Sequence, residues 1–549
     1  MKNRFLGVRK SSFVEGTVVA TLSIVISKVL GMFYVIPFYA MIGSIGSALY
    51  SYAYNIYVIF LDISSAGLPI AMSKIINEYN TLGRMDAKER AYKLAKKIMI
   101  SISIVIFLFL ILFAPMIAEV LLGDLSGGNT VEDVVVAIRC VTLAILVVPS
   151  LAITKGYLQG HNIIGVSSFS QVVEQVVRIV IILGGTYVVL YVLKGSVTEA
   201  VCVSVMGAAI GGVVAYLFLK KKEKFVDKGK DYPKDPIQDR DIIKKIVRYA
   251  VPFIIINVIS SCYNFIDMTL LLRTMNKLGM EVGEVEFVTS AVTTWAPKIN
   301  MVVTSIAMGM STSFIPTMVE AYTLKDYKEI NKRFNQAIQM LLFVSLPMVI
   351  GISILCGPIW TLFYGYNRLG TIILSLNVFM GLFINIFMIT SSALQVLSKF
   401  KLVYKVTILG FFTNALLDVP LMILYNRLGI PAFLGAITAS IIGYSLSIFE
   451  AFRGLKKECK LEYREIIHLG SKLVVPILGM ILVVFLLYIV VPFDVHSRIS
   501  SLLFVSLSSI MGALVYLGLS LKLGIIGNIF GEFRVNRVIK KLTFGKLSI

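Results

Sequence analysis

The sequence predicts an all-α polytopic membrane protein with about fourteen transmembrane helices: two six-helix pseudo-symmetric halves plus two C-terminal helices. Three observations lead there. Hydrophobic residues make up 57% of the 549-residue chain and charged residues 15%, with a mean hydropathy of +0.86. So little charge cannot cover the surface of a water-soluble chain of that length. Apolar runs long enough to cross a bilayer as helices, about 20 residues each, recur from end to end, where a β-barrel would show alternating segments of about ten. Basic residues crowd into every second break between those runs, which is the asymmetry that orients a polytopic chain.

Taken in order, the runs fall near 13–41, 47–79, 97–122, 133–156, 166–193, 197–219, 248–272, 287–320, 335–357, 371–396, 404–425, 431–452, 471–492 and 499–521. The N-terminal MKNRFLGVRK is basic, but the run behind it is too long for a signal segment and is expected to be retained. The 80–97 break carries six Lys/Arg and the 220–248 break eleven. Both then lie on the cytoplasmic side with both termini, in a multi-pass membrane protein. Five segments follow: an N-terminal half over 1–222, a charged cytoplasmic linker over 223–247, a second half over 248–453, two additional helices over 454–522 and a basic tail over 523–549. The tail is mildly amphipathic and reads as a surface helix on membrane lipids.

A weak repeat links the two halves. At an offset of 242, Gly67, Glu78 and Leu82 meet Gly309, Glu320 and Leu324; at 236, Gln159 meets Gln395. Parallel repeats are a transporter pattern, with the substrate held between them. The helix breakers Pro37, Gly67-Leu68-Pro69, Pro252 and Pro316 sit in the leading helices of each half, where bends can serve as hinges.

Several function classes are excluded. The net charge of +21 sits in short loops, so no nucleic-acid partner is expected. Five scattered cysteines without a CxxC pair and three separated histidines argue against a disulfide framework or zinc chemistry. The short outer loops hold no catalytic motif, so the chain is not read as an enzyme. A monomer without a cofactor is expected.

Charges inside the spans are the candidate functional residues, because each costs about 3 kcal/mol at the centre of a bilayer. Lys28 and Lys298 lie deep in the first and eighth runs; Lys74, Arg139 and Arg178 lie nearer ends or partners. Lys74 can snorkel to the interface, and Arg178 follows Glu174 at i+4. Asp62 lies at about the depth of Lys28, which leaves two readings: a Lys28–Asp62 ion pair, or a cationic cavity for an anion. Asn414 and Asp418, at i and i+4, share a helix face and offer hard oxygen ligands. Asp267 and a hydroxyl such as Thr438 could complete a small-cation site; interhelical hydrogen bonding is the alternative.

The stretches ISKVLGMFYVIPFY (26–39), ALYSYAY (48–54), AGLPIAMSK (66–74), KGYLQGHN (155–162) and SQVVEQVVR (170–178) closely resemble the Firmicutes branch of the MurJ-type lipid II flippases, with its stage V sporulation protein B relatives. That resemblance implies membership of the multidrug/oligosaccharidyl-lipid/polysaccharide exporter superfamily. It implies outward flipping of a lipid-linked oligosaccharide of the undecaprenyl pyrophosphate type, lipid II first among them, by alternating access. Lys28 matches a basic position of the family's first helix, and Lys298 lies close to one in the eighth; Asp62 and Lys74 join them as candidate substrate contacts. Asp267, Asn414, Asp418 and Thr438 look like the ligands of a sodium site found in some members. The alternatives are a drug/cation antiporter of the same superfamily and a flippase for another undecaprenyl-linked polysaccharide.

Overall fold

An apolar chain in lipid must satisfy its own backbone N–H and C=O groups, and a helix does so within one segment. Among the described residues every regular element is helical. The computed structural model describes residues 22–23, 26–65, 67–123, 128–161, 163–223 and 233–530. The beginning of the first expected span, residues 224–232 of the linker and the tail from 531 lie outside the described residues.

Helix α1 (Ile26–Phe33) meets α2 (Val35–Ser65) at a 43° bend. The first two expected spans join inside α2, where Gly43 leaves helical geometry at φ 66°. The second expected span does not run unbroken to residue 79. It stops at Ser65 and resumes as α3 (Leu68–Thr81), because Gly67 takes φ 73° and Pro69 opens the next helix. A Cβ at Gly67 would also collide with the side chain of Phe253, so both conformation and space demand glycine.

The chain continues through α4 (Met85–Leu122), α5 (Val131–Gly160), α6 (Ile164–Val180, extended by π turns to Val192), α7 (Val197–Glu223) and α8 (Asp239–Lys277). A Thr130–Asp133 capping box starts α5. Next come α9 (Val282–Ser290), a π turn (Ala291–Trp295) and α10 (Ala296–Thr323). The π turn has a covalent cause. Pro297 has no N–H and its ring crowds the carbonyl four residues back, so the helix opens there and the Ala296 N–H reaches Ala291 O instead. Then follow α11 (Tyr327–Ile354), α12 (Cys356–Tyr364), α13 (Arg368–Val396), α14 (Phe400–Arg427), α15 (Phe433–Cys459), α16 (Arg464–Val490), α17 (Arg498–Lys522) and the short α18 (Ile525–Phe530). Among the described residues ten helices are long and apolar enough to cross a membrane, or eleven with the bent α1–α2 pair as one span.

The chain forms two compact units, Met1–Lys298 with Thr407–Gly443, and Ile299–Val406 with Tyr444–Ile549. In the first, α5 packs on α2, α3, α4 and α7, and α8 packs on α2, α3 and α4. Its core includes Leu68, Met72, Ile76, Tyr157, Leu219 and Ile246. In the second, α11 packs on α13 and α16, and α17 on α12 and α16. That core holds Phe343, Leu473, Ile477, Met480 and Tyr516. Large apolar side chains face outward as well: Leu112, Leu503 and Val490 are 66–72% exposed, as lipid-facing positions are.

Candidate substrate and cation sites

Two lysines organise the first site. Lys28, on α1, and Lys298, one turn beyond the π turn, lie within electrostatic reach of each other and are both partly buried. Neither has an ion-pair partner among the described residues. Aromatic rings lie against Lys298. The Lys298 ammonium sits 5.0 Å from the ring centre of Tyr54 and 5.7 Å from that of Tyr34. Such contacts contribute about 0.5–2 kcal/mol each, well short of a counter-ion. Tyr50 stacks on Tyr54 at 5.8 Å and on Trp295 at 5.9 Å, which fixes the wall behind them. Ser51 and Asn55 of α2 bond the Thr294 hydroxyl at 2.5 and 3.1 Å, tying α2 to the π turn that carries Lys298.

Arg178 adds to the same field, acting on Tyr34, Tyr50, Tyr54 and Tyr57. It donates to Glu174 at 2.9 Å as the i,i+4 spacing predicts, but Lys155 also pairs with Glu174, at 3.0 Å. One carboxylate therefore answers two cations, and the Arg178 Nε is buried without a partner. The Lys28–Asp62 ion pair is not formed among the described residues. Asp62 accepts from the Ser261 hydroxyl instead and lines a cavity of about 330 Å³ with Ser65, Lys155 and Asn257. Lys74 is exposed, with its ammonium 4.2 Å from the ring centre of Tyr249. The four cations Lys28, Lys155, Arg178 and Lys298 outnumber the carboxylates Glu174 and Asp62. Such a neighbourhood recruits an anion.

The second site brings three of its four expected residues together. Asn414 donates to Asp267 at 2.6 Å, and Asp418, one turn on from Asn414, interacts with the Asp267 carboxylate. The hydroxyl partner is Ser440, 2.8 Å from Asp267 and 2.9 Å from Asn414. Thr438 is turned elsewhere, donating to Leu434 O at 2.7 Å and accepting from Tyr425. Two positions along a helix change the facing side by about 200°, so Thr438 and Ser440 cannot share one site. Close approach of α14 and α15 sets this geometry. A Cβ at Gly435 would lie 2.5 Å from Met422 N, and one at Gly443 2.7 Å from Gly410 O. Both oxygens of Asp418 are buried without a hydrogen-bond partner. As an anion it costs several kcal/mol in that state, and a small hard cation would relieve it. The residues present fit such an ion.

Sequence reasoning missed Lys155, Ser440 and the tyrosine wall. Lys155 stands 19 residues from Glu174, and no local spacing relates them; nor does any spacing single out Tyr34, Tyr50 and Tyr54.

Comparison with known proteins places these features. The polysaccharide biosynthesis protein family matches residues 13–322, and the MatE family matches residues 252–419. The lipid II flippase MurJ of Bacillus subtilis (strain 168) is 32% identical over 539 residues, 95% of this chain and 97% of that protein. Stage V sporulation protein B of the same organism is 21% identical, over 65% of this chain and 67% of its own length. Among solved structures, a lipid II flippase MurJ in an inward closed conformation superposes with a TM-score of 0.65 at 14% identity, covering 93% of this chain and 99% of that one. An inward-facing multidrug resistance MATE family transporter of the MOP superfamily gives 0.60 at 17%, over 80% and 99%.

Proposed function

Because this chain belongs to the MurJ family of polysaccharide biosynthesis proteins, we propose that it flips a lipid-linked oligosaccharide, lipid II first among candidates, from the inner to the outer leaflet. It is a membrane transporter, not an enzyme. The observation that carries the reading is the Lys28–Lys298 pair, without a carboxylate partner among the described residues, beside Arg178. Each buried charge is expensive alone, and a pyrophosphate group supplies the missing negative charge to both at once. Lys28 and Lys298 hold the anion; the tyrosine wall excludes water and keeps the ammonium groups from relaxing toward solvent. Asp62, Ser65 and Asn257 offer acceptors and donors to the uncharged part of a headgroup.

The reading extends to fourteen spans in two six-helix halves, cytoplasmic termini and a monomer working by alternating access. Asp267, Asn414, Asp418 and Ser440 would hold sodium, which when bound supplies one positive charge to two adjacent carboxylates. With that charge in place α8, α14 and α15 pack without carboxylate repulsion; without it Asp267 and Asp418 push apart.

The test is complementation in cells depleted of their own lipid II flippase. Lys28→Ala is expected to reach the membrane in normal amount yet fail to support growth or lipid II translocation. Full rescue by that variant would remove the anion-binding role. Drug sensitivity of a deletion strain without a cell-wall defect would turn the reading toward a drug/cation antiporter.

A further inference from the structure

Outside the two sites, the second compact unit carries a recess of about 670 Å³ where α15 turns into α16, lined by Lys456, Leu461, Glu462, Arg464, His468 and Ser471, among others. We propose that this recess binds the phosphate headgroup of an anionic phospholipid.

Four features converge. Lys456, Arg464 and His468 are exposed, and among the described residues none has a side-chain hydrogen bond or ion-pair partner. Glu462 is the one carboxylate lining the recess. The backbone beneath is held rigidly: Glu462 N donates to Asn331 at 2.9 Å, Asn335 donates to Glu462 O at 2.8 Å, and the Tyr463 hydroxyl donates to Phe452 O at 2.6 Å. The basic side chains are therefore presented from a fixed floor, with the Leu461 side chain buried in it.

The fourth feature selects a lipid. Ile467 and Ser471 line the recess, and Val474 and Leu478 continue the same face of α16 at helical spacing. Ile467, Val474 and Leu478 are 51–73% exposed. An apolar track thus runs directly from a cationic recess along a membrane-crossing helix, matching an acyl chain joined to an anionic headgroup. The recess also lies on the face that charge asymmetry assigns to the cytoplasm, where anionic lipid is a source of phosphate at the interface. A soluble phosphate would use the cations and leave the track bare.

The experiment uses the full-length protein in nanodiscs or detergent, titrated with phosphatidylglycerol, phosphatidylcholine or soluble glycerol phosphate, and read by native mass spectrometry. Phosphatidylglycerol is expected to be retained, and the other two are not. Lys456→Gln with Arg464→Gln should weaken retention about 30-fold, from the fivefold or so that each basic residue contributes at an anionic surface. Lys220→Gln with Lys221→Gln, at the end of α7, should leave it unchanged. Equal losses in both double variants would reduce the effect to diffuse surface charge and overturn the proposal. Equal retention of glycerol phosphate would overturn the choice of a lipid. All four positions are exposed, so an unchanged melting temperature confirms that the variants fold; Arg464→Glu, which changes the charge by the same two units, should weaken retention to a similar extent.

Discussion

Arginine in place of Lys28 keeps the charge and adds a planar fork that suits a phosphate oxygen pair. Lys28→Arg is therefore expected to support lipid II translocation at or above the unmodified rate, whereas Lys298→Ala should lose about 10- to 100-fold, the equivalent of one charged hydrogen bond. A headgroup translocation assay in depleted cells distinguishes them, and a silent Lys298→Ala would place the anion elsewhere. Asp418 makes the opposite kind of prediction. Asn at that position removes a buried charge that has no hydrogen-bond partner among the described residues. Melting of Asp418→Asn in choline chloride should occur at or above the temperature of the unmodified protein, while the upward shift produced by sodium should vanish. A sodium shift of full size in that variant would take Asp418 out of the cation site.

At the scale of elements, the cation site depends on how closely two helices approach. Gly435 and Gly443 on α15 leave no room for a Cβ against the backbone of α14. Gly443→Ala touches no candidate ligand through its added methyl except the Cβ of Asn414 at 3.3 Å. It should nonetheless cost about 1–3 kcal/mol by overpacking. By pushing Ser440 away from Asp267 it should also reduce the sodium-dependent rise in melting temperature. A variant that melts earlier yet keeps the full sodium response would show that the helix spacing and the site are independent. The same spacing separates Thr438, the hydroxyl named on sequence grounds, from Ser440, which reaches Asp267. Either hydroxyl is plausible by residue type, and only the rotation of α15, set by those two glycines, chooses.

For the molecule as a whole, composition and charge placement disclosed a helical membrane protein, because the bilayer allows little else for so apolar a chain, and the transporter reading came from the weak repeat and the family resemblance. Lys28 and Lys298 were legible for a related reason, since the cost of a mid-span charge makes it conspicuous. The Lys155–Glu174 pair was less so, because it joins separate helices, whereas the break at Gly67 falls at the Gly67-Leu68-Pro69 breaker visible within one apolar run. The turn at 291–295 escaped as well, and it bears on how this protein tolerates change. It amounts to one residue more than a regular helix needs, so the helix on either side is keyed to different neighbours: Thr294 to Ser51 and Asn55, Lys298 to Tyr34 and Tyr54. Excising Val292 leaves Pro297 and its missing N–H in place, so the helix must open again one residue earlier and its two sides shift against each other by about 100°. The shortened chain should still reach the membrane but not translocate lipid II, a defect that scanning by substitution would never uncover. Length, at this point of the sequence, is itself a functional character, and relatives that differ there by a single insertion or deletion would present a different residue to the headgroup.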